Sequence, residues 1–220
     1  MDGIAQDLKL ALRVFWKHPG FAAIVILTLA LGSGANTAIF TLLDQVMLRM
    51  LPVERPERLV VLSGPGPFSG WSEQNGSATP FSHPMFEGLR DKVKVFSGAL
   101  AHMPSSIHLT LNAATERVNG DLVSGGFFQV LGLRPAHGRL FTPDDDRVPS
   151  GHPIVVLGYG LFERSFGGDP SAVGRTVNVN NHPMTIVGVA PKGFNGIDVG
   201  SAVDVYVPLA MQQEVQPTWG

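Results

Sequence analysis

The sequence contains no cysteine and few charged residues. The absence of cysteine excludes disulfides, thiolate metal sites and a lipid-modified cysteine. Charged residues make up 15% of the chain, with a net charge of −2. From Asp44 onward there are 13 basic and 16 acidic residues, a net of −3. This balance argues against nucleic acid as a partner, because such binding requires an excess of positive charge.

Sequence motifs for catalysis, cofactors and metals are also lacking. There is no Walker loop and no G-x-S-x-G elbow, and none of the seven histidines forms an H-E-x-x-H pair. The run Asp144-Asp145-Asp146 lacks the spaced oxygen ligands and the closing glutamate of an EF-hand. After Thr142-Pro143, we expect it to begin a helix. We therefore predict no catalytic, cofactor-binding or metal-ligating residues, and an anchored hydrolase is the least favoured alternative.

A long apolar run is the dominant feature that is present. Residues His18 to Leu43 include no Asp, Glu, Lys or Arg, and the apolar pattern continues to Leu48. Because about 20 apolar helical residues cross a bilayer core, we predict a transmembrane helix over residues 19–48. A cleaved signal peptide is the rival interpretation, but its apolar core would normally end sooner.

The residues before this run predict an amphipathic helix over residues 1–18. Its apolar side chains share one side, while Lys9, Arg13 and Lys17 form a stripe on the other. Such a helix can lie on an anionic membrane surface, although a solvated helix packed on a partner has the same pattern. Lys9, Arg13 and Lys17 before the span are matched by three arginines soon after it, and we favour a cytoplasmic N-terminus.

Small residues within the span predict a helix-packing face. Ala30, Gly34 and Ala38 are spaced by four residues, so another helix can approach them closely, although lipid exposure has the same pattern. Asn36 and Thr37 are polar, and an amide in hydrocarbon needs a hydrogen-bond partner. We therefore expect this face to meet another helix and not lipid.

The remaining residues, 49–220, are long enough for one globular domain with its own core. Residues Ser63 to Pro84 are rich in Ser, Gly and Pro and predict a long loop. Beyond it, helical and strand patterns alternate, which indicates a mixed α+β domain. Helices are predicted at Pro84–Phe96, at Phe127–Leu131 after Gly125-Gly126, and around Leu161–Phe166. Strands are predicted at Ile107–Leu111, Arg117–Leu122, Ile154–Leu157 and Val203–Val207, with a hairpin over Thr176–Val189 that turns at Asn180-Asn181.

The residues also carry a family resemblance. The run DLKLALRVFWKHPGFAAIVILTLALGSGANTAIF resembles the first membrane segment of MacB/FtsX-like ABC transporter permeases, especially the duplicated group without a fused ATPase. The blocks ERVNGDLVSGGFFQVLGLRPAHGRLFTPDDD, PIVVLGYGLFERSFGGDPSAVGRTVNVNNHPMTIVGVAPKGFNG and VDVYVPL resemble that family's periplasmic core domain. Glycines and aromatics that match family positions are interpreted as turn and core residues: Gly125, Gly126, Phe127, Phe128, Gly138, Gly167, Gly168, Gly174 and Gly188.

The resemblance implies a mechanical role in the bacterial inner membrane. A separate cytoplasmic ATPase would move the membrane helices, and the periplasmic domain would pass that motion to substrates or adaptor proteins. Further implied partners are the bilayer, other permease segments and a second copy in a dimer. A complete permease half has three more membrane helices after this domain, so we expect the chain to be a fragment or a truncated relative. The alternative is a single-pass module that binds a ligand or protein outside the membrane.

Overall fold

The computed structural model describes residues 16–17, 19–43, 52–62, 82–111, 114–198 and 200–216. The chain divides into two compact units, Met1–Arg49 and Met50–Gly220, and each is described by itself. Lys9, Arg13 and residues 44–48 lie outside the described residues, as does nearly all of the predicted loop at Ser63–Pro84. Of the predicted surface cations, Lys17 is described, and it is exposed in a short helical stretch.

The described part of the first unit is dominated by one helix, α1, Pro19–Leu43. Its 25 residues span about 37 Å at 1.5 Å per residue, more than the roughly 30 Å of a hydrocarbon core. The segment Pro19–Thr41 is long and apolar enough to cross a membrane, and none of it is buried within the protein. Its large side chains, including Leu27, Leu31 and Phe40, are exposed. Nothing in the described part of the first unit covers them.

The second unit is a mixed α/β domain. Its helices are α2 His83–Lys92, α3 Phe127–Val130, α4 Tyr159–Phe166 and α5 Gln212–Val215. Its strands are β1 His102–Leu111, β2 Ala114–Val123, β3 His137–Gly138, β4 Ile154–Leu157, β5 Thr176–Val179, β6 His182–Val189 and β7 Val205–Pro208. Short 3-10 turns occupy Pro56–Arg58, Pro143–Asp146, Pro170–Ala172 and Leu209–Met211.

The seven strands form one sheet in the order β3-β6-β4-β7-β2-β1-β5. Because β5 also pairs with β6, six of the strands close into a ring, and β3 adds to the far end of β6. β2 and β7 run parallel, as do β4 and β6, whereas the other pairs are antiparallel. Closure pairs strand edges that would otherwise be open to another chain.

Successive side chains along the strands point to opposite faces of the sheet, and they form two hydrophobic cores. The inner core takes residues from all six strands of the ring, with Leu122, Leu157 and Val205 fully buried. The outer core lies against the opposite face of β2, β4 and β7 through Val123, Val156 and Tyr206. This outer core is covered by aromatic side chains, which pack with ring centroids 5.2–6.4 Å apart: Phe127, Phe128, Phe141 and Phe194.

Several predicted elements are confirmed. β4 has the predicted bounds, and α4 ends at Phe166, just before Gly167, which adopts the left-handed conformation with φ of 62°. The hairpin turns at Asn180 and Asn181, whose φ angles are +47° and +69°. Asn180 also accepts a hydrogen bond from the His108 backbone N–H, so the turn residue helps to tie β5 to β1.

Other boundaries were wrong. The helix predicted to reach Phe96 ends at Lys92, because the following β-branched Val93 and Val95 have no packing partner and remain exposed. β1 begins at His102, five residues earlier than predicted. Pro104 is tolerated within it because one edge of this stretch of β1 pairs with no described strand. The last strand starts at Val205 instead of Val203. The helix expected after Thr142-Pro143 is present as a short 3-10 helix, Pro143–Asp146.

Candidate functional site

The predicted helix-packing residues share one side of α1. Ala30, Gly34 and Ala38 are all exposed, and a Cβ built on Gly34 would meet no atom within 4 Å. A neighbouring backbone could therefore approach this side closely. The structure describes no partner helix that would test the prediction.

The two polar residues of the span occupy different positions. The Thr37 hydroxyl donates to the Ser33 carbonyl oxygen at 2.8 Å, so this hydroxyl is satisfied within its own helix. Asn36 lies about 200° around the helix from Gly34, on the opposite side. The Asn36 amide and the small residues therefore lie on opposite sides of α1. The prediction that they share one helix-packing face was wrong.

The three carboxylates of the acidic run point to three different partners. Asp144 pairs with exposed Arg147 at 3.1 Å. Asp145 accepts two hydrogen bonds from Arg139, at 2.7 and 2.8 Å, and also accepts from the Thr142 N–H and hydroxyl. Partial burial acts to raise the pKa of Asp145, but these hydrogen bonds outweigh it and lower the value to about 2.

Asp146 acts as a bridge between two backbone segments. Its carboxylate accepts from the Gly125 N–H at 3.0 Å and the Ala210 N–H at 2.6 Å. A Cβ on Gly125 would lie 2.5 Å from the Thr142 carbonyl oxygen, so glycine is required for this close approach. Asp146 therefore connects the turn after β2 to the 3-10 turn after β7. Among the described residues, no three His, Asp or Glu side chains are grouped to hold a metal ion.

A cleft of about 550 Å³ separates α2 from the turn after β2. Polar and apolar groups both line it, among them Phe86, Arg90, Gly126, Gln129, Val130 and Arg147. The Arg90 guanidinium forms an ion pair with Asp91 at 2.7 Å and lies 5.7 Å from the centre of the Phe86 ring. The cleft can admit a small molecule or a peptide side chain, but it presents no nucleophile paired with a base.

Ionisable groups that sequence reasoning missed lie at the margin of the outer core. His102 Nδ1 is 3.2 Å from Asp121 Oδ2 and 4.0 Å from Asp198 Oδ2. Asp121 is only 2% exposed, whereas the Asp198 side chain is 46% exposed. His102 is half-buried in β1. Only the register, which places His102 opposite Val123, brings it beside Asp121, and this pairing is invisible in the sequence.

Tyr206 lies next to Asp121 across the parallel pair β2 and β7. Its ring stacks on Phe194 with centroids 6.1 Å apart. Neither the Tyr206 hydroxyl nor Asp121 Oδ1 has a hydrogen-bond partner among the described residues, although both are buried. Burial raises the pKa values of both Asp121 and Tyr206, and nearby carboxylates raise that of Tyr206 further. This arrangement can store or exchange a proton at His102 and Asp121, but it presents no group to an open substrate site.

The fold and these sites define a class of protein: a packed α/β domain that follows a helix able to cross a membrane. The family of MacB-like periplasmic core domains matches residues 22–220, nearly the whole chain. The chain belongs to this family.

Curated relatives are export proteins. A macrolide export ATP-binding/permease protein MacB from Burkholderia thailandensis is 28% identical over 146 residues, covering 64% of this chain and 21% of that protein. A probable export ATP-binding/permease protein from Pseudomonas fluorescens strain Pf0-1 is 32% identical over 92 residues, covering 42% of this chain and 14% of that protein. The chain thus spans about a fifth or less of the length of these relatives.

Solved structures show the same fold. The periplasmic region of MacB from Actinobacillus actinomycetemcomitans superposes with a TM-score of 0.50 at 21% identity, covering 61% of this chain and 57% of that one. The extracellular domain of the noncanonic ABC-type transporter YknZ from Gram-positive bacteria gives 0.51 at 22% identity, covering 63% and 67%. The expected mixed α/β architecture of the periplasmic core type is confirmed.

Proposed function

We propose that this chain is a permease portion of a MacB/FtsX-type ABC transporter, in which the outer domain transmits ATP-driven motion for efflux or other work outside the membrane. One observation carries the proposal: a MacB-like core domain directly follows a helix able to span a bilayer. Closure of the sheet supports it further, because a ring of paired strands resists deformation and can pass a displacement onward as a rigid body.

The proposed topology places residues 1–18 on the cytoplasmic surface of the bacterial inner membrane, residues 19–48 across it and residues 49–220 in the periplasm. Lys9, Arg13 and Lys17 would then contact anionic headgroups. The near-neutral outer segment is compatible with export, since long domains cross largely regardless of charge.

The proposed partners follow from the names of the relatives. Those proteins are named for ATP binding and permease activity together. We assign ATP hydrolysis to a separate subunit and propose no enzymatic activity or cofactor for this chain. Other permease segments, a second copy and periplasmic adaptor proteins complete the proposed assembly.

Two sides of α1 are proposed as contacts within that assembly. Ala30, Gly34 and Ala38 would allow close backbone packing, whereas Asn36 on the other side would hydrogen-bond to a second helix. A helix with partners on opposite sides belongs inside a bundle. A single-pass anchor surrounded by lipid would leave the Asn36 amide facing hydrocarbon.

The test is purification of the tagged full chain from its native membranes after brief cross-linking, followed by mass spectrometry. A matched control carries Leu27→Arg, which disfavours insertion but leaves the outer domain unchanged. We expect an ABC ATPase or further permease segments to co-purify with the wild type and to be lost with the control. A folded, membrane-inserted chain that recovers neither would overturn the transporter assignment.

The alternative is a single-pass module that binds a ligand or protein outside the membrane. The cleft lined by Arg90, Gln129 and Arg147 is the observation that favours it. In the same experiment, this alternative predicts recovery of periplasmic partners without an ATPase. Loss of those partners in Gln129→Trp, which would fill the cleft, would then support the alternative.

A further inference from the structure

Three glycines line the cleft between α2 and the turn after β2, and close packing accounts for only two of them. A Cβ on Gly98 would lie 2.8 Å from Val130 Cγ2, and one on Gly125 would lie 2.5 Å from the Thr142 carbonyl oxygen. Gly126 has a φ angle of −80°, which any residue adopts, and a Cβ there would meet no atom within 4 Å. Packing within the domain therefore does not require glycine at 126, whereas a ligand that approaches its backbone closely would.

The same turn presents two hydrogen-bond donors to the cleft. Ser124 is 3% exposed, and its hydroxyl oxygen accepts from the Ala101 N–H at 3.0 Å. Within the described residues, the Ser124 hydroxyl proton has no acceptor and the Gly126 N–H has no partner. Two backbone hydrogen bonds of 2.9 Å hold the turn, from the Ser124 N–H to Ala101 and from the Phe127 N–H to Ser124. Both donors are thus fixed before a ligand arrives, which lowers the entropic cost of binding.

Apolar side chains from both adjacent helices also line the cleft. Phe86 of α2 is buried, and Val130 of α3 is half-buried. The cleft volume of about 550 Å³ lies within the range of about 300–1,000 Å³ that is typical of ligand sites. The cleft therefore has room for an aliphatic group beside the two donors.

The charged groups that line the cleft are balanced in sign and already have partners. They are two arginines and two aspartates. Arg90 pairs with Asp91 at 2.7 Å. Arg147 pairs with Asp144 at 3.1 Å, and Asp146 accepts two backbone N–H groups. A charged ligand would lose hydration without gaining an unpaired counter-charge from these described residues, so the cleft favours a neutral ligand.

We propose that the cleft binds an extended peptide segment of a partner protein through one main-chain carbonyl group and one aliphatic side chain. The carbonyl oxygen accepts from the Ser124 hydroxyl and the Gly126 N–H, since it has two lone pairs. The aliphatic side chain packs against Phe86 and Val130, and the absence of a Cβ at Gly126 lets the peptide backbone come close. A peptide bond beside an aliphatic side chain supplies these features without a charge.

The peptide site rests on the binding role proposed as the alternative function, and it names the class of partner for that role. It requires neither an ATPase nor other permease segments. Loss of the site would therefore leave the transporter assignment standing, and absence of an ATPase from the purified chain would leave the site standing.

The test is saturation-transfer NMR of the full chain in lipid nanodiscs, with empty nanodiscs as the background. The first probe is N-acetyl-leucine methylamide, which we expect to bind with a Kd of about 1 mM. N-acetyl-glycine methylamide lacks the aliphatic side chain and should bind about tenfold more weakly. N-acetyl-leucine carries a carboxylate and should also bind more weakly. The longer N-acetyl-Ala-Leu-Ala methylamide should bind about fivefold more tightly, because it adds peptide contacts.

Gly126→Ala places a methyl group at the open position and should weaken binding of the leucine probe about fivefold or more. Its stability should match that of the wild type, because alanine adopts a φ of −80° without strain. Gly160→Ala in α4 is the matched control, since Gly160 lies outside the cleft and its Cβ would be 3.8 Å from the nearest atom. This control should bind like the wild type.

Near-UV circular dichroism checks that each variant is folded. If Gly126→Ala is unfolded, Gln129→Trp at an exposed position of the cleft decides, and it should also lose binding. Absence of wild-type binding above the background, or unchanged binding in a folded cleft variant, would overturn the site. Tighter binding of N-acetyl-leucine than of its methylamide would contradict a neutral ligand. Equal affinity for the short and long probes would contradict a peptide segment.

Discussion

The apolar residues of α1 and those of the outer domain are similar in kind and opposite in exposure. Leu27 and Leu31 are 64% and 77% exposed, whereas Leu122 and Leu157 are fully buried. Each large apolar side chain left in water costs about 1.5–3 kcal/mol relative to burial. The outer domain therefore buries its apolar side chains by itself, whereas α1 requires lipid or other helices to shield its apolar side chains from water.

The largest expected effect lies in the packed region. Leu122→Ala removes a fully buried side chain from the inner core and should lower the free energy of unfolding of the outer domain by about 3–5 kcal/mol. Denaturant unfolding of the full chain in detergent, followed by near-UV circular dichroism, measures this change. Leu27→Ala in α1 is the control, and its midpoint should match that of the wild type. An equal loss of unfolding free energy in both variants would contradict the proposed difference between the packed outer domain and the exposed α1.

A charged substitution should reduce membrane insertion when it is made in α1, but not when it is made in the outer domain. Leu27→Arg lies four residues before the centre of α1 and should cost up to about 2.5–3.5 kcal/mol of membrane insertion. Val95→Arg, at an exposed apolar position of the outer domain, should leave the membrane fraction unchanged. Carbonate extraction of membranes and immunoblotting measure the inserted fraction. Full retention of Leu27→Arg in the membrane would contradict a membrane-spanning α1.

Asp145 stabilises the outer domain through hydrogen bonds and an ion pair, and not through apolar burial. Asp145→Asn should lower the free energy of unfolding by about 1–2 kcal/mol at neutral pH, discounted for the half-exposed Arg139 partner. The folded pKa of about 2 lies below the unfolded value, so this stability is present above about pH 4 and is lost as pH falls toward 2.

The check is the unfolding midpoint of wild type and variant across that acidic range. The two curves should converge at the acid end. Asp144→Asn, which alters an exposed pair with Arg147, should change stability by less than about 0.5 kcal/mol. A difference between wild type and Asp145→Asn that stays constant down to pH 2 would contradict the ion-pair explanation.

The smallest expected effect concerns the sides of α1. Gly34→Leu should weaken helix association by about 1 kcal/mol, roughly fivefold, because the added side chain separates the backbones. Ala35→Leu, about 100° away, is the control and should have less effect. Förster transfer between labelled chains in vesicles measures the association. Unchanged association in Gly34→Leu would remove Ala30, Gly34 and Ala38 as a packing face.

Local chemistry made parts of this fold predictable from the sequence. The charge-free run predicted α1, and Asn180-Asn181 predicted the hairpin turn, because each signal acts over adjacent residues. The closure of the ring was not predictable, since β1 meets β5 across about 70 residues of sequence. The cluster of His102, Asp121 and Tyr206 was missed for the same reason: strand register, and not spacing, brings these side chains together.

The most direct test of the account is the side of the membrane on which each region lies. The chain has no cysteine, so Val95→Cys and Lys17→Cys each provide a single thiol at an exposed position. A membrane-impermeant maleimide is added to cells whose outer membrane has been permeabilised. We predict that Val95→Cys is labelled before lysis and Lys17→Cys only after it. Protection of Val95→Cys until lysis would place the outer domain in the cytoplasm and contradict the account.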